Sequence, residues 1–452
     1  MKLEEARVTQ LQSSHPALSF IDDFLLAHKT ANLYLVGGAI RDALLSRPMQ
    51  ERDYDFVVTG LPVSDLERWF TAHGELHLVG QHFGVYKFMP TGFTSKDIAF
   101  IDIALPRTEA VSKGSLGGYR DFDIQSDPTI PIETDLARRD FTINAIALDL
   151  RTHLLIDPFN GQIDLTQKVL RAVGKPEERF TEDLTRILRG IRFASELGFD
   201  IEPDTNLALK SQIERLNILR EIDDKIEYVV PREVVGIELA KALSRNPVEA
   251  LHAFVNHRVI EMLFPEVHAL ISKDQDYLAP LAHIKPNELT LVLAIILRAC
   301  TKEVIVETLS FTGLNTLPRG SSLRTEQEQI LWLVSMSKEL NSQAQIREMR
   351  ASVFEKRFMN GKGLLLMRTL ELLGKKEIAQ SAKKRRQEIE DRWIVDHDES
   401  IAPLISGQDI LSTGISPGPE VRLLLDEVRD LQLDGTLMRR EDALKWIAGK
   451  QF

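Results

Sequence analysis

The sequence predicts an α/β head built on a small mixed sheet with helices, followed by an all-α neck, body and tail. Short strand-like runs alternate with helical ones from about residue 29 to 160. Beyond about 161 only helical periodicity continues, broken by turns at Phe264-Pro265, Lys285-Pro286 and Leu317-Pro318-Arg319-Gly320. A chain of 452 residues that is 43% hydrophobic can also bury several cores. The expected division is a head over 1–160 with a helical lead of about 28 residues, a neck over 161–225, a body over 226–340 and a tail over 341–452. No internal repeat or low-complexity tract interrupts it.

Within the head, Leu33 to Val58 (LYLVGGAIRDALLSRPMQERDYDFVV) is the richest segment in chemistry. Leu33 to Val36 reads as a short buried strand. Gly37 and Gly38 follow it, and without side chains they let the backbone come close to a triphosphate. Arg41 lies one helical turn further on, within reach of phosphate oxygens. Asp53 and Asp55 occupy a β-type run, where a period of two puts both carboxylates on one face. So placed, they repel unless a divalent cation lies between them. A Gly-Gly turn or an Asp-x-Asp alone is an ordinary turn or a solvated strand end. In this order, within one short span, they read as a nucleotidyl-transfer site.

The arrangement resembles the nucleotidyltransferase superfamily, and within it the class II tRNA nucleotidyltransferase (CCA-adding enzyme) and bacterial poly(A) polymerase family, whose first motif runs GGxxRD and then DxD. Further segments extend the likeness. Ile98 to Arg107 (IAFIDIALPR) alternates like a strand and carries Asp102 at the family's third acidic position. An acid amid Phe100, Ile101, Ile103 and Ala104 is costly to bury unpaired, a cost that a bound metal relieves. Asp135 to Ala147 (DLARRDFTINAIA) matches the family's second motif nearly letter for letter. Asp157 to Leu165 (DPFNGQIDL) resembles the link to the next helices and, with turn residues Pro158, Asn160 and Gly161, reads as structural.

Thr181 to Phe199 (TEDLTRILRGIRFASELGF) reads as one amphipathic helix, capped by Thr181, with Leu184, Ile187, Leu188, Ile191 and Ala194 on its apolar stripe. Asp183, Arg186, Arg189 and Arg192 recur every third residue. In an ordinary surface helix they would be an ion pair and solvated arginines. The EDxxRxxRxxRF pattern, however, is similar to the family's base-recognition motif. A rigid carboxylate and guanidinium can together pair with the edges of both cytosine and adenine.

The resemblance thus implies residue roles. Asp53, Asp55 and Asp102 are the catalytic acids and metal ligands, holding two Mg²⁺ ions. Gly37, Gly38 and Arg41 bind the nucleotide, Arg138, Arg139 and Asp140 hold its ribose and phosphates, and Asp183 with Arg186 reads the base. Arg189 and Arg192 contact phosphate or hold that pair in place. Arg107 to Asp127 (RTEAVSKGSLGGYRDFDIQSD), rich in glycine and serine, reads as a mobile loop. In the family a loop here is associated with switching the pocket from cytosine to adenine. Pro403 to Trp446 resembles the family's C-terminal signature, on physics alone a packed helical pair. The metal-dependent phosphohydrolase module of some relatives is not expected, because the apolar run ending in Leu297-Arg298-Ala299-Cys300 lacks a His-Asp pair and His397-Asp398 has non-matching neighbours.

Composition sets the remaining bounds. Cys300 is the only cysteine, which excludes intrachain disulfides and cysteine metal clusters. The start MKLEEARVTQ lacks the apolar core of a secretory signal and no long uncharged apolar run occurs, so a cytoplasmic protein without membrane contact or an obligate protein partner is expected. A net charge of −11 is compatible with RNA binding if basic residues cluster locally. Arg138-Arg139 with the arginines of the base-reading helix form one such cluster. Lys383-Lys384-Arg385-Arg386 form another, equally readable as a solvated helix face. The expected activity is template-free addition of C, C and A to the tRNA 3′ end from CTP and ATP, with release of pyrophosphate. The alternatives are a poly(A) polymerase, an A-adding tRNA nucleotidyltransferase and a catalytically silent RNA-binding protein. A glycosyltransferase reading of Asp-x-Asp leaves RRDFTINA unexplained.

Overall fold

The computed structural model describes residues 15–47, 54–79, 84–95, 98–112, 114–118, 121–222, 224–317, 326–393 and 401–450. Asp53 lies outside the described residues, as do His397 and Asp398. The chain forms two units, residues 1–242 with 249–262 and residues 243–248 with 263–452.

In the first unit, alternating apolar runs fold as strands β1 (Asn32–Val36), β2 (Asp55–Thr59), β3 (Gly74–Val79), β4 (Val85–Pro90) and β5 (Ile101–Ala104). A separate antiparallel pair, β6 (Arg107–Val111) and β7 (Phe122–Ser126), precedes β8 (Ala147–Asp149) and β9 (Leu155–Ile156). The main sheet has the order β3-β4-β5-β2-β1-β8-β9. It is mixed, as expected, because β2 and β5 run parallel and the other neighbours antiparallel.

Side-chain alternation gives the sheet two faces. Phe56 and Phe88 point to one face, where the helices Phe20–Ala27 and Val63–His73 cover them. There the rings of Phe20, Phe24, Phe56, Phe70 and Phe88 meet at centroid distances of 4.9 to 5.9 Å. Each such fully buried side chain contributes roughly 1.5–3 kcal/mol. On the opposite face Tyr34, Val36, Val57 and Ala147 pack with Ile132 and Leu136 of the helix Ile132–Ala137. That face also carries Asp55 and Asp102.

Several expectations need correction. The run from Ile98 to Arg107 is interrupted at Leu105-Pro106, so it contributes β5 and the start of β6. The segment 107–127, read as a mobile loop from its glycines and serines, pairs its two ends in register from Arg107 opposite Ser126 to Val111 opposite Phe122. The portion after residue 160 is not wholly helical. Val169–Leu170 pairs with Asp200–Ile201, and Leu219–Ile222 forms a hairpin with Lys225–Tyr228. In that hairpin Ile222, Ile226 and Tyr228 favour a pleated conformation and Asp224 accepts a φ of 60° at the turn.

The stretch from Thr181 is likewise not one helix. Pro176–Glu182 ends at Asp183, which is extended (φ −145°, ψ 103°), and a second helix runs from Thr185 to Leu197. The capping role belongs to Asp183, whose Oδ1 accepts from the Thr185 N–H at 2.9 Å and its hydroxyl at 2.6 Å. Thr181 instead donates its hydroxyl to Gln212. The predicted apolar stripe is buried throughout. Asp157 acts structurally, accepting from the N–H groups of Gly161 and Gln162 at the start of the next helix.

The second unit carries helices and no strand among the described residues. Cys300 is buried. The expected C-terminal helical pair is three helices, Gly407–Leu411, Pro419–Leu433 and Arg440–Ala448, around Ile410, Leu424, Val428, Ala443 and Ile447. Much of the basic run 383–386 is engaged within this unit. Arg385 donates to the carbonyls of Ile346 and Met349, Arg386 to that of Phe358, and Lys383 pairs with Glu371. Lys384 remains mostly exposed. No helix among the described residues is long and apolar enough to cross a membrane.

Candidate active site

The register of the sheet assembles the first part of the site. Asp55 on β2 sits directly beside Asp102 on β5, and Lys87 on β4 faces Asp102 from the other side. One row across the sheet therefore reads Lys87, Asp102, Asp55, with the Lys87 ammonium 2.5 Å from Asp102 Oδ1. Among the described residues no three His, Cys, Asp or Glu side chains gather as a metal-binding group. The row does supply two adjacent carboxylates, the hard oxygen donors a divalent cation takes, and a positive charge already stands against one of them. The residues present thus fit such a cation.

At the end of β1 the backbone turns through Gly37 at a φ of +74°. A Cβ there would lie 3.0 Å from Asp55 Oδ2 and 3.5 Å from Arg139 Nη1. Glycine is thus required both by the turn and by the close approach of a carboxylate. Arg41, on the helix that follows, donates to Asn144 Oδ1 at 2.9 Å, pairs with Asp42, and lies 5.2 Å from the Phe193 ring centroid.

The second motif supplies a buried ionic network. Asp135, fully buried, accepts from Arg138 at 2.8 Å and from Arg139 at 3.3 Å. Burial works to raise its carboxyl pKa, but the two guanidiniums prevail and hold it below the usual range. Arg138 also donates to Glu109 on β6. Arg139 Nε finds no hydrogen-bond partner among the described residues.

Asp140 is bound from both sides. Its Oδ1 accepts from the Phe141 N–H and from Asn144, while Oδ2 accepts from Arg189 Nε at 2.8 Å and Nη2 at 2.6 Å. Burial opposes ionisation here too, but Arg189 and Asn144 outweigh it and hold the group down to about 2. Reciprocally, Asp140 pushes Arg189 up.

Asp183 differs. Burial raises its carboxyl above the ordinary range despite Arg186 and its bonds to Thr185. Its Oδ2 lies 3.9 Å from Arg186 Nε, so the pair is adjacent without a hydrogen bond. The Arg186 guanidinium is fixed by Glu182 at 2.9 Å and by the carbonyls of Arg179 and Arg138. One guanidinium and one carboxylate oxygen are thereby held side by side facing a common space.

That space is a cavity of about 900 Å³. Gly37, Gly38, Arg41 and Asp55 line it together with Arg138, Arg139, Asp140, Asp183, Arg186 and Arg189. Asp102 is not among its lining residues and lies beside Asp55 on the next strand. Arg192 does not line it either, being buried against Glu238 at 2.5 Å and Glu196 at 3.2 Å.

Sequence reading missed Glu238, which comes from the helix Arg232–Arg245 and is also 4.0 Å from Arg189. Nothing local marked it in an otherwise amphipathic run. Asn144 and Asp135 were quoted within the second motif but given no role. Phe122 and Ile124 of β7, in the segment read as a loop, form part of the cavity wall.

The family described as poly A polymerase head domain matches residues 33–171. Proteins named multifunctional CCA protein are similar over about half of the chain. That of Stenotrophomonas maltophilia (strain K279a) is 38% identical over 250 residues, covering 54% of this chain and 53% of the relative. That of Xylella fastidiosa (strain 9a5c) is 37% identical over 249 residues, covering 54% and 52%. The chain thus spans about half the length of the curated relatives it matches.

Solved structures are similar along nearly the whole chain. The Bacillus stearothermophilus CCA-adding enzyme in complex with CTP superposes with a TM-score of 0.60 at 21% identity, covering 94% of each chain. The Thermotoga maritima CCA-adding enzyme complexed with tRNA gives 0.56 at 21% identity and 97% coverage of each. Residues 33–171 are accordingly similar to the poly A polymerase head domain, on a chain that has the fold of the CCA-adding enzymes.

Proposed function

We propose that this chain is a CCA-adding tRNA nucleotidyltransferase, extending the tRNA 3′ end with C, C and A from CTP and ATP. The observation that carries this reading is that one cavity is lined both by the Gly37-Gly38 turn with Asp55 and by the Asp183–Arg186 pair. Phosphate handling and base reading thus meet in one space of nucleotide size.

Asp55 and Asp102, with Asp53, would hold divalent cations, two Mg²⁺ ions in this reading, which lower the pKa of the attacking hydroxyl and neutralise charge on the leaving pyrophosphate. Gly37 and Gly38 admit the triphosphate, and Arg41 and Arg139 donate to its oxygens. Arg189, locked by Asp140, holds the base-reading helix against the second motif. Asp183 Oδ2 accepts from the exocyclic amino group of cytosine or adenine, and Arg186 donates to the neighbouring ring nitrogen or carbonyl. Guanine and uracil present the wrong edge, so the protein supplies the pairing surface without a template.

Asp183→Ala is expected to relax the preference for CTP and ATP over UTP and GTP by about 10- to 100-fold, one good base contact being worth about 1–3 kcal/mol. It should also cost about 1 kcal/mol of stability through the lost cap. Competition between labelled nucleotides reads the first effect and thermal melting the second. Unchanged discrimination would refute the base-reading role.

The reading itself is tested by supplying purified protein and Mg²⁺ with tRNAs ending before CCA, after C and after CC, and sequencing the 3′ ends. Completed CCA ends are expected. The head-domain match also accommodates a poly(A) polymerase, which would give long A runs; A added only to the CC-ended tRNA would mark an A-adding specialist.

A further inference from the structure

We propose that Lys87 is a resident counter-cation of Asp102, on the side away from Asp55, and that binding of a divalent cation at the two carboxylates displaces it. The inference rests on the nucleotidyl-transfer reading above and assigns a role to a residue outside its motifs. Asp55 and Asp102 are in-register neighbours on parallel strands, so their carboxylates repel when both are ionised. Lys87 lies in the same row on the antiparallel partner β4, and its Nζ is 2.5 Å from Asp102 Oδ1. That oxygen has no hydrogen-bond partner among the described residues, so the ammonium is what balances it.

Mg²⁺ takes carboxylate oxygens at about 2.0–2.1 Å, which would set a second positive charge within a few ångströms of the ammonium. The two positive charges repel. The sheet fixes the backbone of all three residues, whereas the Lys87 side chain is 40% exposed and has solvent into which it can swing. A compact charge on a flexible stem suits this exchange better than a planar guanidinium would. Lys87 thereby keeps the carboxylates tolerable in the cation-free protein and sets a threshold that the cation must overcome.

The test measures Mn²⁺ binding to the full chain without nucleotide, by electron paramagnetic resonance of the free ion. Lys87→Met is expected to bind Mn²⁺ about tenfold more tightly than the parent, the order of effect of one charge within a few ångströms. Lys87→Arg, which keeps the charge, should stay within about twofold. In the presence of chelator Lys87→Met should melt lower than the parent, and saturating Mn²⁺ should narrow the gap. Equal or weaker Mn²⁺ affinity in Lys87→Met overturns the proposal, as does equal tightening in Lys87→Arg. Asp102→Asn separates the two levels of inference. If it removes Mn²⁺ binding while Lys87→Met leaves the affinity unchanged, the Lys87 role alone falls. If parent binding is insensitive to both Asp102→Asn and Asp55→Asn, the cation-site reading falls as well.

Discussion

Replacing Asp55 with alanine is expected to lower nucleotide incorporation by about 10³-fold or more while leaving the fold and tRNA binding largely intact. The magnitude follows from the several kcal/mol of transition-state stabilisation assigned to metal-supported nucleophile and leaving-group chemistry. The stability effect is expected to be smaller than that of a structural acid. Asp55 stands beside Asp102 and within 3.0 Å of the position a Cβ on Gly37 would take. Removing it deletes one of two neighbouring negative charges, which offsets the loss of its own contacts, so the melting temperature should change little at low salt. A single-turnover assay with CTP, thermal melting and a tRNA binding titration together check the prediction. Full incorporation would remove Asp55 from the mechanism. Loss of activity accompanied by a large drop in melting temperature would instead make it a structural residue.

The parts legible in the sequence were those encoded locally. Strand β1, the Gly37-Gly38 turn and the apolar stripe of the helix Thr185–Leu197 follow from short-range periodicity and composition, and the structure reproduces them. The parallel register of Asp55 with Asp102 was not readable, because it joins segments about fifty residues apart through a crossover whose geometry no local pattern specifies. The same limit hid Lys87, which looks like any charged residue on a strand until register places it beside Asp102.

Glycine and serine in 107–127 suggested a loop, yet the flanking residues pair, since the turn chemistry of the centre says nothing about the strands it joins. The break at Asp183 was misread for a related reason. An Asp inside an apparent helix can accept from the following backbone N–H and start a new helix, and its sequence signature is the same as that of a helix with an acidic first turn. Arg192 was read as contacting phosphate or holding the Asp183–Arg186 pair, and it is buried against Glu196 of its own helix and Glu238 of another, a partner that no local pattern announces.

Asp140→Ala is expected to destabilise the first unit by about 2–4 kcal/mol. The range lies somewhat below that for a fully buried pair, because the Arg189 side chain is 36% exposed. Three favourable contacts disappear together, the bonds to Arg189, Asn144 and the Phe141 N–H, and a cation is left facing Glu238 at 4.0 Å as its nearest remaining partner. Since Arg189 belongs to the helix proposed to read the base, nucleotide selection should loosen as well. Acid titration gives an independent check with a definite sign. The Asp140 carboxyl titrates at about 2 in the folded protein and near 3.9 when unfolded. Its contribution is therefore present above about pH 4 and lost as pH falls towards 2. Asp183, raised by burial, acts in the opposite sense, its ionisation costing stability and its protonation relieving that cost as pH falls through the raised value. Urea unfolding at stepped pH should thus find Asp140→Ala least different from the parent at the acid end. Asp183→Asn should differ from the parent most above the raised Asp183 value and converge with it as pH falls through that value. An acid limb of the Asp140→Ala protein as steep as that of the parent between pH 4 and 2 would show that the Asp140–Arg189 pair does not hold the base-reading helix in place.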